Sequence, residues 1–183
     1  FLGSIEQINL VENLIKTNTQ ALVVVDPVLG DHGSLFPIFD DSYVMEMKKL
    51  VSMADLITPN ITEANLLLGL NPNQFGYNDS DLKNICRDLS KLGPGLVIIT
   101  GFLIDGYIYN ISYDAHTDTM VKFGKPYNKM SFSGTGDIFT SIVAALITRD
   151  FDIGDTCQIA TDFIFDAVKY TSSLDGIERN DGI

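Results

Sequence analysis

Apolar positions Ile5, Ile8, Val11, Leu14 and Ile15 recur at helical spacing. Ser4-Ile5-Glu6-Gln7 has the form of a capping box, so the pattern predicts a helix from there to about Thr17. The period then changes. Ala21-Leu22-Val23-Val24-Val25-Asp26 is a short, continuous β-branched run, the mark of a strand buried on both faces. Pro27 to Asp40 is rich in Gly, Pro and Asp and reads as a loop. Asp41 or Ser42 is placed to cap a helix through Val44, Met47, Leu50 and Val51. A short strand, Asp55 to Thr58, stops at Pro59, and Asn60-Ile61-Thr62-Glu63 opens another helix with Gly69 at its end.

The second half continues the alternation. Asp79 or Ser80 starts a helix through Leu82, Ile85, Cys86 and Leu89, stopped by Gly93-Pro94. Gly95 to Thr100 is another buried strand. Tyr107 to Tyr113 alternates as a strand with one wet face, and Thr119 to Phe123 pairs with it as an antiparallel edge. Lys125 to Ser133 reads as a polar loop. Helices follow from about Thr135 to Thr148 and from about Asp155 to Thr171. Strands alternating with helices predict an α/β fold with a mainly parallel sheet.

Composition narrows the class. The 183 residues are 45% hydrophobic, enough for one core and one domain. The formal net charge of −12 repels a phosphate backbone and argues against a nucleic-acid partner. Cys86 and Cys157 have neither C-x-x-C spacing nor a disulfide framework and read as buried free thiols. No apolar run approaches 18 residues and no secretory signal is visible, so the expectation is a soluble cytoplasmic protein with no membrane partner. The chain opens on Phe1-Leu2-Gly3 rather than Met and closes on Asp181-Gly182-Ile183 without a helix stop, which suggests part of a longer polypeptide.

Four polar sites fall at strand ends: Asp26-Pro27-Val28, Thr58-Pro59-Asn60, Thr100-Gly101, and Ser133-Gly134-Thr135-Gly136-Asp137 before the long helix. In open α/β sheets, ligands bind beyond the carboxyl ends of the strands. Gly134 and Gly136 allow close backbone approach, and the helix that follows aims unpaired N–H groups at the same spot. Asp137, in its first turn, can take a proton from a hydroxyl while those N–H groups hold a transferring phosphoryl group. The bland alternative is an ordinary helix start, with Thr135 as cap and Asp137 favourable to the dipole. Asn60 and Glu63 are either a capping box alone or, through Glu63, a site for hydrated Mg²⁺. Asp26 and Asp31 either cap a turn or contribute to metal and phosphate geometry. His32 and His116 are isolated and read as surface residues. The sequence contains no P-loop, nucleophile elbow or metal cluster.

In this order the motifs resemble the ribokinase-like superfamily in its vitamin-kinase branch, the pyridoxal/pyridoxamine kinases above all. The matching stretches are Val25 to Asp31, Ile57 to Ala64, Ile99-Thr100-Gly101 and Ser133 to Phe139. The opening Phe1-Leu2-Gly3-Ser4 resembles the stretch after that family's substrate-side loop. The resemblance implies a three-layer α/β/α fold with a mainly parallel central sheet and an antiparallel edge. It also implies a single kinase domain over residues 1–183, incomplete at the N-terminus and slightly at the C-terminus. The implied reaction is ATP-dependent phosphorylation of the 5′-hydroxymethyl group of pyridoxal, pyridoxamine or pyridoxine, in vitamin B6 salvage. In that scheme Asp137 is the catalytic base, and Gly134, Thr135, Gly136 and Asn60 hold phosphates. Thr100, Gly101 and Phe36 line the nucleotide side, and Glu63, Asp31 and Asp26 serve the metal. ATP, Mg²⁺ and, as a further candidate, a monovalent cation are the implied cofactors, and a homodimer the implied assembly. A hydroxymethylpyrimidine kinase of thiamine synthesis is the alternative within this class. A non-catalytic nucleotide-binding fragment is the alternative outside it.

Overall fold

The computed structural model describes residues 1–178 and 181–183. The short β-branched runs do become the centre of a sheet. Strands β1 (Val24–Val25), β4 (Leu56–Ile57) and β5 (Leu96–Ile104) pair in parallel, and β6 (Tyr107–Asp114) and β7 (Thr119–Pro126) extend the sheet antiparallel, in the order β1-β4-β5-β6-β7. A separate two-stranded hairpin is formed by β2 (Gly30–Asp31) and β3 (Ser34–Leu35). Helices α1 (Ile5–Thr17), α2 (Asp41–Val51), α3 (Ile61–Leu68) and α4 (Asp79–Ser90) follow one another through the first half, and α5 (Thr135–Ile147) and α6 (Ile153–Thr171) close the chain.

The two faces of the sheet are separated by the period of the strands. Ile57, Val97 and Ile99 face a core shared with α1 to α4, where Ile8, Met47, Ala64 and Leu82 are buried. Leu56 and Ile98 face the other way, onto Phe139 and Val143 of α5 and Cys157 and Ala160 of α6. The result is the three-layer α/β/α arrangement, with the parallel strands at one side and the antiparallel edge at the other. None of the described helices is long and apolar enough to cross a membrane.

Several boundaries move. The cap of α2 is Asp40, whose carboxylate accepts the Tyr43 N–H, rather than Asp41 or Ser42. Asn78, not Asp79 or Ser80, caps α4 in a reciprocal box with Asp81. Asp152 caps α6, which starts at Ile153. The loop from Pro27 to Asp40 contains the β2–β3 hairpin, turning on His32 and Gly33 with φ of 51° and 80°. Two positive values in succession are the geometry of a type I′ turn, which matches strand twist. β1 is shorter than its apolar run, although Val23 still accepts N–H bonds from Asp55 and Leu56. β5 continues past Thr100 to Ile104, and β7 reaches Pro126, so Lys125 lies in a strand rather than in a loop.

Candidate active site

Where the parallel pairing ends, Val25, Ile57 and Val97 stand at one level of the ladder. Their extensions, Asp26, Thr58 and Thr100, open into a single cavity of about 770 Å³ that runs across the sheet. Asp26, Asp31, Phe36, Asn60, Glu63, Thr100 and Gly101 line this cavity, as do Gly134, Thr135, Gly136 and Asp137. Every residue singled out from the strand-end motifs is therefore brought to one place.

The α3 N-terminus is held at the cavity by reciprocal bonds. Asn60 Oδ1 accepts the Glu63 N–H at 2.9 Å, and Glu63 Oε2 accepts the Asn60 N–H at 2.9 Å. Glu63 Oε1 also accepts the Leu29 N–H at 3.1 Å, and Asn60 Nδ2 donates to the Gly30 carbonyl at 2.9 Å. Asn60 and Glu63 thus tie the loop after β1 to α3. Within this loop the β2–β3 hairpin can close tightly because residue 30 is glycine: a Cβ there would lie 2.2 Å from the Ser34 carbonyl oxygen.

The glycine loop enters from the opposite layer. Gly134, with φ of 89°, is the N-cap of α5 and offers no side-chain cap. Thr135 is not the cap, and its hydroxyl donates to the Phe132 carbonyl at 3.2 Å. The first N–H groups of α5 have no partner within the helix and face the cavity end of the dipole. A Cβ on Gly136 would sit 3.8 Å from Asp26 Oδ2, which places the Asp26 carboxylate against this loop. Phe139 and Val143 anchor α5 to the sheet below.

Carboxylates are concentrated here: Asp26 feels the charge of Asp137, and Glu63 that of Asp26. Burial, then the charge of Asp137, push the Asp26 carboxyl up to about 6, against a hydrogen bond from Thr58. Burial, then Asp26, push Glu63 up to about 8, although backbone N–H groups favour its ionised form. Asp31 stands apart at the cavity mouth, where its carboxylate accepts the His32 N–H at 2.7 Å. Among the described residues no three acidic, histidine or cysteine side chains form a cage for a metal ion. Glu63, whose carboxylate accepts the Asn60 and Leu29 N–H groups, and the nearby Asp26 carboxylate offer hard oxygens suited to a hydrated divalent ion held through water, the usual preference of Mg²⁺. Asp26 and Glu63 fit that group. Phe36 lines the cavity too: it is half-buried, packs on the first core cluster and stands 6.4 Å from Phe39.

The cavity also has walls that strand-end reasoning does not reach. Thr140 on α5 shares a 2.9 Å hydrogen bond with Thr58. Lys125 of β7 pairs with Asp162 of α6 at 2.5 Å and lies 5.4 Å from the Phe165 ring centroid. Asn110 and Thr161 line the same end. These residues meet only through tertiary structure. The period-2 pattern of β6 was the one local sign that Asn110 is a polar side chain in a mostly apolar strand.

A model of the phosphomethylpyrimidine kinase family matches residues 1–180. A Bacteroides thetaiotaomicron protein crystallised with pyridoxal is 36% identical, with a TM-score of 0.93 over 100% of this chain and 65% of that one. The crystal structure of pyridoxal kinase from Lactobacillus plantarum is 30% identical, with a TM-score of 0.90 over 100% of this chain and 64% of that one. The hydroxymethylpyrimidine/phosphomethylpyrimidine kinase of Aquifex aeolicus is 28% identical over 174 residues, covering 94% of this chain and 66% of that protein. The chain thus spans 64 to 66% of the length of these three relatives.

Proposed function

Because the chain belongs to the phosphomethylpyrimidine kinase family, we propose that it carries the phosphoryl-transfer centre of an ATP-dependent kinase acting on the 5′-hydroxymethyl group of a B6 vitamer. The observation that carries this reading is the meeting of Asp137, the α5 N-terminus and the Asp26–Glu63 pair in one cavity. Asp137 accepts the proton of the hydroxymethyl group. The freed oxygen attacks the γ-phosphorus in line, and the bond to the β-phosphate oxygen breaks, releasing ADP. The N–H groups of the Gly134–Asp137 turn hold the equatorial oxygens as charge redistributes over them. Asn60 steadies the phosphates from the α3 side, while Thr100 and Gly101 line the path of the nucleotide. Asp26 and Glu63, with Asp31, would hold a hydrated Mg²⁺, which when bound would offset phosphate charge.

The Bacteroides relative crystallised with pyridoxal supports the vitamer. The family description and the Aquifex relative support a second acceptor, hydroxymethylpyrimidine, with the same chemistry. The same reading makes the protein a cytoplasmic homodimer. Two buried thiols, each pushed by burial up to about 12, suit a reducing compartment. The test is ADP release with Mg-ATP and pyridoxal, pyridoxamine, pyridoxine or hydroxymethylpyrimidine in turn. Turnover of a vitamer supports the proposal, and faster turnover of the pyrimidine moves it to the second acceptor. Turnover of none overturns it in favour of a non-catalytic nucleotide-binding module.

A further inference from the structure

The antiparallel half of the sheet carries an irregularity beside the cavity. Ile99 pairs with Ile111, but the next pair is Phe102 with Tyr109, so Thr100 and Gly101 together face Asn110. This is a bulge, and Gly101 takes it up with φ of 68°. The Gly101 N–H finds a side chain instead of a ladder carbonyl: Asn110 Oδ1 accepts it at 2.9 Å. Asn110 Nδ2 donates in turn to Thr161 Oγ1 at 2.9 Å, and the Thr161 hydroxyl donates to the Cys157 carbonyl at 2.6 Å.

The relay has a direction. Thr161 is 4% exposed, and its single proton is committed to Cys157, so its oxygen can only accept. That fixes the Asn110 amide with nitrogen toward α6 and oxygen toward Gly101. The other bulge residue, Thr100, donates its N–H to the Pro59 carbonyl at 2.9 Å and bridges to Asn60. A continuous chain of neutral hydrogen bonds therefore connects α6, the bulge and the N-terminus of α3. Thr100, Gly101, Asn110 and Thr161 all line the cavity.

We propose that Asn110 and Thr161 are positioning residues for the nucleotide, holding the Thr100–Gly101 bulge in the shape that receives it. This rests on the kinase reading above. The relay touches the strand-end wall rather than Asp137, so its loss weakens nucleotide binding and leaves the chemical step alone. The experiment varies ATP and acceptor separately for Asn110→Ala, Asn110→Asp, Thr161→Val and Thr161→Ser, and follows amide exchange at Gly101. Losing one buried hydrogen bond corresponds to roughly a tenfold rise in the KM for ATP. The expected result is that rise in N110A, N110D and T161V, with kcat and the acceptor KM within about twofold of the unmodified protein. N110D fails because a carboxylate cannot donate to Thr161, and T161S stays near the unmodified value. Gly101 exchanges faster in N110A. An unchanged KM for ATP in N110A and T161V overturns the proposal, and so does a shift of all parameters together. If the unmodified protein turns over no acceptor, the kinase reading fails. The relay is then judged by binding of a fluorescent ATP analogue: weaker binding with faster Gly101 exchange in N110A supports it, and unchanged binding overturns it.

Discussion

Asp26 is held in the fold at a cost that pH and a single substitution can reveal. Its carboxyl stands at about 6 rather than 3.8, because it is partly buried and faces Asp137. At about 1.4 kcal/mol per pH unit, that difference corresponds to about 3 kcal/mol. The side chain lines an open cavity, so water screens part of it, and about 1–2 kcal/mol is the amount to look for. The folded-state value lies above the unfolded one. The folded state therefore binds more protons between about pH 4 and 6, and stability falls as pH rises through that window. Asp26→Asn removes the charge and keeps an acceptor for the Thr58 hydroxyl. In urea titrations with EDTA, the variant should match the unmodified protein near pH 4 and exceed it by about 1–2 kcal/mol at pH 7. The gain should persist and widen toward pH 8, because Asp26 also pushes up Glu63. Millimolar Mg²⁺ should narrow the gap by stabilising the unmodified protein. A variant less stable at pH 7, or a difference independent of pH, would show that the Asp26 charge carries no such cost.

Two further outcomes concern the scaffold. Ile98 is fully buried between the sheet and α5–α6, so Ile98→Ala should cost about 2–5 kcal/mol in urea unfolding, whereas Ile98→Val should cost about 0.5–1.5 kcal/mol. Gly30→Ala would drive a Cβ into the Ser34 carbonyl. It should open the β2–β3 hairpin, read as faster amide exchange at Phe36, whose N–H bonds to the Leu29 carbonyl, with a loss of about 1–3 kcal/mol.

The legible parts of this ribokinase-like fold were those written locally. The Asn60–Glu63 box and Gly69 lie within one helix, and the continuous runs at Val24, Ile57 and Val97 need only their own neighbours to read as buried strands. The caps at Asp40 and Asn78 were displaced by one residue because several acidic or polar side chains compete in each stretch. The His32-Gly33 turn was present in the sequence but obscured by the surrounding Gly and Pro. The bulge at Gly101 was not legible, since the atoms that satisfy it belong to Asn110 and Thr161, far along the chain. Asp26 and Glu63 were visible as residues, but their mutual repulsion depends on how β1 and α3 meet.

In the proposed reaction Asp137 takes the proton of the acceptor hydroxyl at the α5 N-terminus. The most direct measurement of this step pairs ADP release with nucleotide binding for Asp137→Asn, which keeps the shape and removes the base. Turnover of the hydroxymethyl acceptor should fall by about 10²–10⁴-fold while the Kd for ATP changes by less than about threefold. Turnover within about tenfold of the unmodified protein, with binding intact, would contradict it.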